Sequence, residues 1–196
     1  MTLELRGIGM GDPAAPALPE LSATLTGEGP AVLPIGTERG PLLASLIAAG
    51  RLRPDRGEVL LDGRPDASAI RRAVALVDTP VVAEAEPTLP VGAVVREELR
   101  FAGRRSRRAD AERLLDDLGL AGWARAPLSD LPAAGRISLL LTLAALRPGV
   151  RMLVLTSPER HGGAAADWLS LARGSGERGI PVLVIGGHAV DPVAAL

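Results

Sequence analysis

Gly36, Arg39 and Gly40 stand between a short apolar run, Ala31-Val32-Leu33, and the mostly apolar segment Pro41 to Ala49. Glycines and a cation just ahead of a helix suit anion binding, because backbone N–H groups and the positive helix end point at the ligand. The residues that would turn anion binding into phosphate chemistry are missing. A phosphate-cradling loop ends in Gly-Lys-Ser/Thr, with the lysine on the phosphates and the hydroxyl on magnesium. Counted from Gly40, the lysine position holds Pro41 and the hydroxyl positions hold Leu42 and Leu43. Ile35 stands where the first glycine belongs, and Gly36 follows it. Pro41 removes one N–H from the cradle, and the two leucines put apolar bulk where phosphates and metal would lie. Gly36, Arg39, Gly40, Leu42 and Leu43 therefore read either as a degenerate phosphate-loop position or as a closed strand-to-helix turn.

The remaining polar residues offer little chemistry. Thr156 and Ser157 follow the apolar run Met152 to Leu155, but neither is a carboxylate, and a hard cation such as magnesium wants anionic oxygens. They read as capping and turn residues, and Asp78 reads as a loop carboxylate. Cysteine is absent, which excludes disulfides, a thiolate nucleophile and a thiolate metal site. With His161 and His188 the only histidines, no metal site is expected, and no catalytic set is assigned. Lysine, asparagine, glutamine and tyrosine are also absent, so all 22 basic residues are arginine. No phosphate-binding lysine can come from elsewhere in the chain. The formal net charge of −1 gives no global argument for nucleic acid or an anionic surface. One local cluster stands out: Arg104, Arg105, Arg107 and Arg108 at the start of a helix, where its dipole disfavours cations. It suits either a solvated loop or an anionic partner, whether acidic side chains, lipid headgroups or nucleic acid. No aromatics interleave these arginines, so nucleic acid is the least supported.

The elements that position these residues alternate between strand and helix. Leu3 to Arg6 and Leu21 to Thr26 alternate apolar and polar residues, as half-buried strands do. Ile8 to Pro19, rich in Gly, Pro and Ala, reads as a loop, and Gly27 to Pro30 as a turn. Ala31-Val32-Leu33, Ala73 to Val77, Met152 to Leu155 and Val182 to Ile185 are short apolar runs, expected to be neighbouring parallel strands covered on both faces. Glu58 to Leu61 is a further strand, followed by an Asp62-Gly63 turn. Helices are expected at Pro41 to Ala49, Val91 to Phe101, Ser106 to Leu118, Ala133 to Leu146 and Ala164 to Ala172, with a short helix or loop at Ser68 to Arg72. The length suits a single domain over 1–196. The N-terminus has no basic region followed by an apolar run, so no export signal is expected. The longest apolar run, Leu139 to Leu146, is too short to span a bilayer.

In order and spacing this series resembles the ATP-binding domain of ABC transporters over nearly the whole chain, Leu3 to about His188. The resemblance rests on the loop at Gly36 to Leu43, the turn and strand Arg53-Pro54-Asp55-Arg56-Gly57-Glu58-Val59-Leu60-Leu61-Asp62-Gly63, and the helix VGAVVREELRF. It continues through the helix after Leu131-Pro132-Ala133-Ala134-Gly135, the strand before Pro158 and the terminal strand. It implies an α/β fold of the P-loop NTPase type: a mostly parallel sheet flanked by helices, with a helical side lobe over about 91–146. It also shows how far the chain has diverged. The family's adenine-stacking aromatic falls in Gly9 to Asp12, which has no ring, and its metal-sensing glutamine falls at Asp78 or Thr79. The signature serine is Pro132 and its two glycines are Ala133 and Ala134. Thr156-Ser157-Pro158-Glu159 replaces the motif that holds magnesium and polarises the attacking water. His188 lies one residue late for the family's switch histidine.

The resemblance thus implies the scaffold of an ABC transporter ATP-binding protein without its ATPase parts. The first expectation is a binding or regulatory partner of a membrane transporter component, meeting a permease or an intact ATPase subunit through the helical lobe. It would be cytoplasmic, and peripheral to the membrane through that partner. No ATP-driven homodimer is expected, and no cofactor unless the diverged loop still holds ATP. One alternative is a diverged ATP-binding protein that still turns nucleotide over. Another is a soluble regulatory or interaction protein with no link to transport. Micromolar Mg-ATP affinity would separate the second from the others, and an adjacent membrane-protein gene would favour the first over the third.

Overall fold

In the computed structural model, which describes residues 1–190 apart from Glu28, two sheets share one core. Glu28, and with it part of the Gly27 to Pro30 turn, lies outside the described residues. The first sheet is antiparallel, in the order β2-β1-β4, from β1 (Leu3–Met10), β2 (Leu18–Leu25) and β4 (Arg56–Leu61). Strand β1 is longer than its alternation suggests. The register against β2 shifts between Leu5 and Ile8, where Gly7 takes φ 55°. That bulge breaks the period-two pattern and still turns Ile8 into the core beside Leu3 and Leu5. Ile8 to Met10 and Leu18 to Pro19 are therefore strand, and the expected loop over Ile8 to Pro19 shrinks to 11–17. Gly57 in β4 has φ 74°, and a β-carbon there would collide with the carbonyls of Arg6 and Gly7, so the pairing of β4 with β1 requires glycine.

The second sheet is parallel, in the order β3-β7-β6-β5, from β3 (Ala31–Pro34), β5 (Val74–Val77), β6 (Met152–Thr156) and β7 (Val182–Gly186). The four apolar runs are parallel neighbours, as expected, and β5, β6 and β7 are buried along their whole length. Alternate side chains feed two cores. Val74, Leu76, Met152, Val154, Leu183 and Ile185 pack with helix α1 (Gly40–Ala48) and the first sheet. Ala75, Val77, Leu153, Leu155, Val182 and Val184 pack with α5 (Ala133–Ala145) and α6 (Ala165–Glu177). Burial on both faces is why these strands read as continuous apolar runs.

Helix α2 (Ala67–Ala73) precedes β5 and is capped by Asp66, whose carboxylate accepts the N–H groups of Ser68 and Ala69, both at 2.9 Å. It takes Ala73 from the expected strand. Helix α3 (Val91–Phe101) presents Val91, Val94, Val95 and Leu99 to one side, the i, i+3, i+4, i+8 stripe of an amphipathic helix. It packs with Ala111 and Leu115 of α4 (Arg108–Asp117) and with Leu139 and Leu143 of α5 in a third core. Helix α5 thus serves two cores, which explains its nearly unbroken apolar sequence.

Candidate functional site

The loops leaving the parallel strands converge on one edge, the carboxyl ends, where ligands bind in sheets of this kind. The strand-to-helix loop after β3 is closed from inside. Ile35 is buried and donates its N–H to Gly186 O at 2.8 Å. Its side chain and the Thr37 hydroxyl lie against the α-carbon of Gly40, so that a β-carbon there would collide with both. Gly40 donates its N–H to Thr37 O at 3.1 Å, and the Thr37 hydroxyl donates to Ala17 O at 3.0 Å. His188, in a 3-10 turn over His188–Val190, crowds Gly36: a β-carbon there would fall 2.5 Å from Nε2. Arg39 is exposed, while Leu42 and Leu43 are half-buried, Leu43 against the α1 core. The Ile35 side chain packs against the start of α1 at Gly40 and joins the core beneath it.

At the ends of β5 and β6 a chain of buried hydroxyls crosses the edge. Thr79 Oγ1 and Thr156 Oγ1 are 2.7 Å apart, and Thr156 donates onward to Ser45 Oγ of α1 at 2.9 Å. Thr156 is thus bonded into the core and is not a turn residue. Magnesium would require anionic oxygens here, and this trio is neutral and satisfied by its own members. Among the described residues no three His, Cys, Asp or Glu side chains gather into a metal site. Glu159, in a 3-10 turn over Pro158–His161, accepts the Gly187 N–H at 2.7 Å through Oε1, while its Oε2 is buried without a hydrogen-bond partner.

Beside the hydroxyls lies a buried charge cluster. Asp78 follows β5 in a left-handed conformation, φ 51°, and is only 3% exposed. Arg136, on the first turn of α5 and 4% exposed, grips it with two hydrogen bonds: Nη2 to Oδ1 at 2.9 Å and Nε to Oδ2 at 3.2 Å. Arg160 Nη2 adds an ion pair to Oδ1 at 3.0 Å and also donates to the Asp78 carbonyl at 2.6 Å. Its Nη1 reaches Glu84 at 2.6 Å, and His161 Nε2 meets Asp78 Oδ2 at 2.6 Å. Burial pushes the Asp78 carboxyl up. The hydrogen bonds from His161 and Arg136, with the charges of Arg136 and Arg160, outweigh burial and hold it well below the ordinary carboxylate range. Asp78 is thus a loop carboxylate, as its sequence context suggests, but a buried and ion-paired one. Arg136 carried a legible signal, since it stands one and two helical turns before Leu140 and Leu143 on an apolar helix. A cation on a buried face needs a carboxylate. The link to Asp78, Arg160 and His161 depends on contacts between segments up to 83 residues apart and had no local signal.

A cavity of about 750 Å³ lies away from this edge, between α3, α4 and the segment around Gly122. Another, of about 260 Å³, reaches the edge itself: Val77, Asp78 and Glu84 line it together with residues of α3 and α5. No helix among the described residues is long and apolar enough to cross a membrane.

Comparison of the whole fold agrees with this architecture. An ATP-binding subunit of an ABC transporter superposes with a TM-score of 0.60 at 19% identity, over 96% of this chain and 80% of the other. A nucleotide-free ATP-binding cassette from an ABC transporter gives 0.64 at 17% identity, over 99% and 84%. The ADP conformation of another such cassette gives 0.64 at 17%, over 95% and 82%. At these identities the likeness establishes the fold: the chain has the α/β, P-loop NTPase-like architecture of ABC ATPase domains, with parallel and antiparallel sheets and flanking helices. Neither a family model nor a curated protein matches the chain by sequence.

Proposed function

We propose that this chain is an ABC-ATPase-like domain that works by binding, as a partner or regulator of a membrane transporter component, without hydrolysing ATP. One observation carries the reading: apart from Glu159 Oε2, the polar side chains of the strand-end edge are bonded to one another. Phosphoryl transfer relies on positioned cations and metal-held charge around the phosphates. Here Ile35 packs against Gly40, Pro41 and Leu42 stand at the lysine and hydroxyl positions, and the Ser45–Thr79–Thr156 hydroxyls satisfy one another. Asp78, the best-placed carboxylate, is consumed by Arg136, Arg160 and His161. The fold supports a transport setting, since the superposed structures are ATP-binding parts of ABC transporters. A permease or an intact ATPase subunit would dock on the helical lobe of about 91–146, leaving the chain on the cytoplasmic face of the membrane.

Titration calorimetry with Mg-ATP tests the loss of the site. Binding weaker than about 1 mM, roughly −4 kcal/mol, is expected, with no dimer on adding ATP. Micromolar affinity or an ATP-dependent dimer would refute the reading. Co-purification with the product of a neighbouring membrane-protein gene tests the partner role.

A further inference from the structure

Phe101, the only phenylalanine in the chain, ends helix α3 and is 68% exposed. The chain turns sharply just after it. Gly103, at φ 66°, donates its N–H to Arg100 O at 3.0 Å, and Arg104 donates to Leu99 O at 2.8 Å. This pair of bonds is the Schellman stop that glycine favours. It delivers Arg104, Arg105 and Arg107 to solvent within a few residues of the ring. Residues 96–108 hold six arginines against two glutamates, in a chain whose formal net charge is −1.

Of the nearby carboxylates, Glu97 is exposed and pairs with no arginine among the described residues, and the others are engaged elsewhere. Glu98 binds Arg147 and Glu112 binds Arg108, both at 2.7 Å. Asp110 accepts the Arg107 backbone N–H at 3.0 Å and lies 3.8 Å from Arg113. Among the described residues, the guanidinium groups of Arg100, Arg104, Arg105 and Arg107 have no carboxylate partner. The result is a concentrated positive patch around one exposed aromatic ring.

We infer that this corner, Phe101 with Arg100, Arg104, Arg105 and Arg107, docks on an anionic lipid surface. The ring would enter the headgroup boundary while the guanidinium groups stay at the phosphates, which is how basic and aromatic side chains share an interface. A protein partner would want a wider apolar centre than one ring provides, and stacking on nucleic acid would want aromatics between the arginines. The inference is independent of the proposed loss of nucleotide binding, because it involves nothing at the strand-end edge.

The experiment is sedimentation of the purified full chain with vesicles of phosphatidylcholine alone, or of phosphatidylcholine and phosphatidylglycerol in equal parts. Binding to the anionic vesicles alone, weakening as salt rises, is expected. Arg104→Ser, Arg105→Ser and Arg107→Ser together should lower the affinity roughly a hundredfold, at about fivefold per arginine. In a Trp123→Phe, Trp168→Phe background that retains its circular dichroism, Phe101→Trp should become shielded from iodide on anionic vesicles only. Should that background unfold, a bimane label on Phe101→Cys gives the same readout in this cysteine-free chain. Equal binding to both vesicles, no binding to either, an unchanged triple variant, or a reporter that stays quenched on bound protein would each overturn the inference. So would arginine-dependent binding to duplex DNA without binding to vesicles.

Discussion

Replacing Asp78 is the most informative single perturbation. Asp78→Ala leaves the Arg136 guanidinium in a site where it is 4% exposed, without the carboxylate that meets it at 2.9 Å and 3.2 Å. Arg160 and His161 lose the same partner. Removing one member of a buried ion pair costs about 3–5 kcal/mol, mostly because the other charge is stranded. Asp78→Asn keeps the shape, tolerates the left-handed backbone and retains one acceptor, so it should cost about 2 kcal/mol. Asp78→Ala with Arg136→Met removes both charges and should recover most of the loss. Urea unfolding at pH 7 measures all three. The acid limb supplies a second readout. The folded-state pKa of Asp78 lies below its unfolded value, so the unfolded chain takes up the proton first as pH falls. Its contribution is complete above the unfolded aspartate range, fades as pH drops below about 5, and is lost on passing through the folded value. Asp78→Asn should therefore be less sensitive to acid than the wild type over that window. A loss under about 1 kcal/mol for Asp78→Ala, or an acid limb unchanged by Asp78→Asn, would refute the assignment of a buried, ionised cluster.

Two further substitutions probe the edge and the antiparallel sheet. Thr156→Val strands the Ser45 and Thr79 hydroxyls and should cost about 1–3 kcal/mol in urea unfolding, whereas Ser45→Ala, Thr79→Val and Thr156→Val together should cost less than the sum of the singles. Gly57→Ala drives a β-carbon into the Arg6 and Gly7 carbonyls and should cost about 3 kcal/mol, with faster amide exchange in β1 and β4. Gly63→Ala, at a similar φ of 76° but with open space around it, should cost about 1 kcal/mol and serves as the control.

By itself the sequence determined the parallel sheet and the helices around it. Strands buried on both faces must be apolar throughout, so Val74 to Val77, Met152 to Leu155 and Val182 to Ile185 announce themselves, and the half-buried Ala31 to Leu33 reads the same way. Their order relative to Gly57 and Pro158 then points to one known scaffold. The sequence also shows that the chain has no lysine, because absence of a residue type is visible without any geometry. Strand β1 hid three residues past its bulge, Ile8 to Met10, since Gly7 shifts the phase that alternation depends on. Only the tertiary structure decided how the polar residues at the strand ends are bonded. The buried ion cluster joins residues 58 and 83 positions apart, and the hydroxyl chain joins Ser45 to Thr156 across 111. Hydrogen bonds act over about 3 Å of space, whatever the distance along the chain. That the loop carboxylate Asp78 is the centre of a buried cluster was therefore settled by which helix start and which strand end the fold brought beside it.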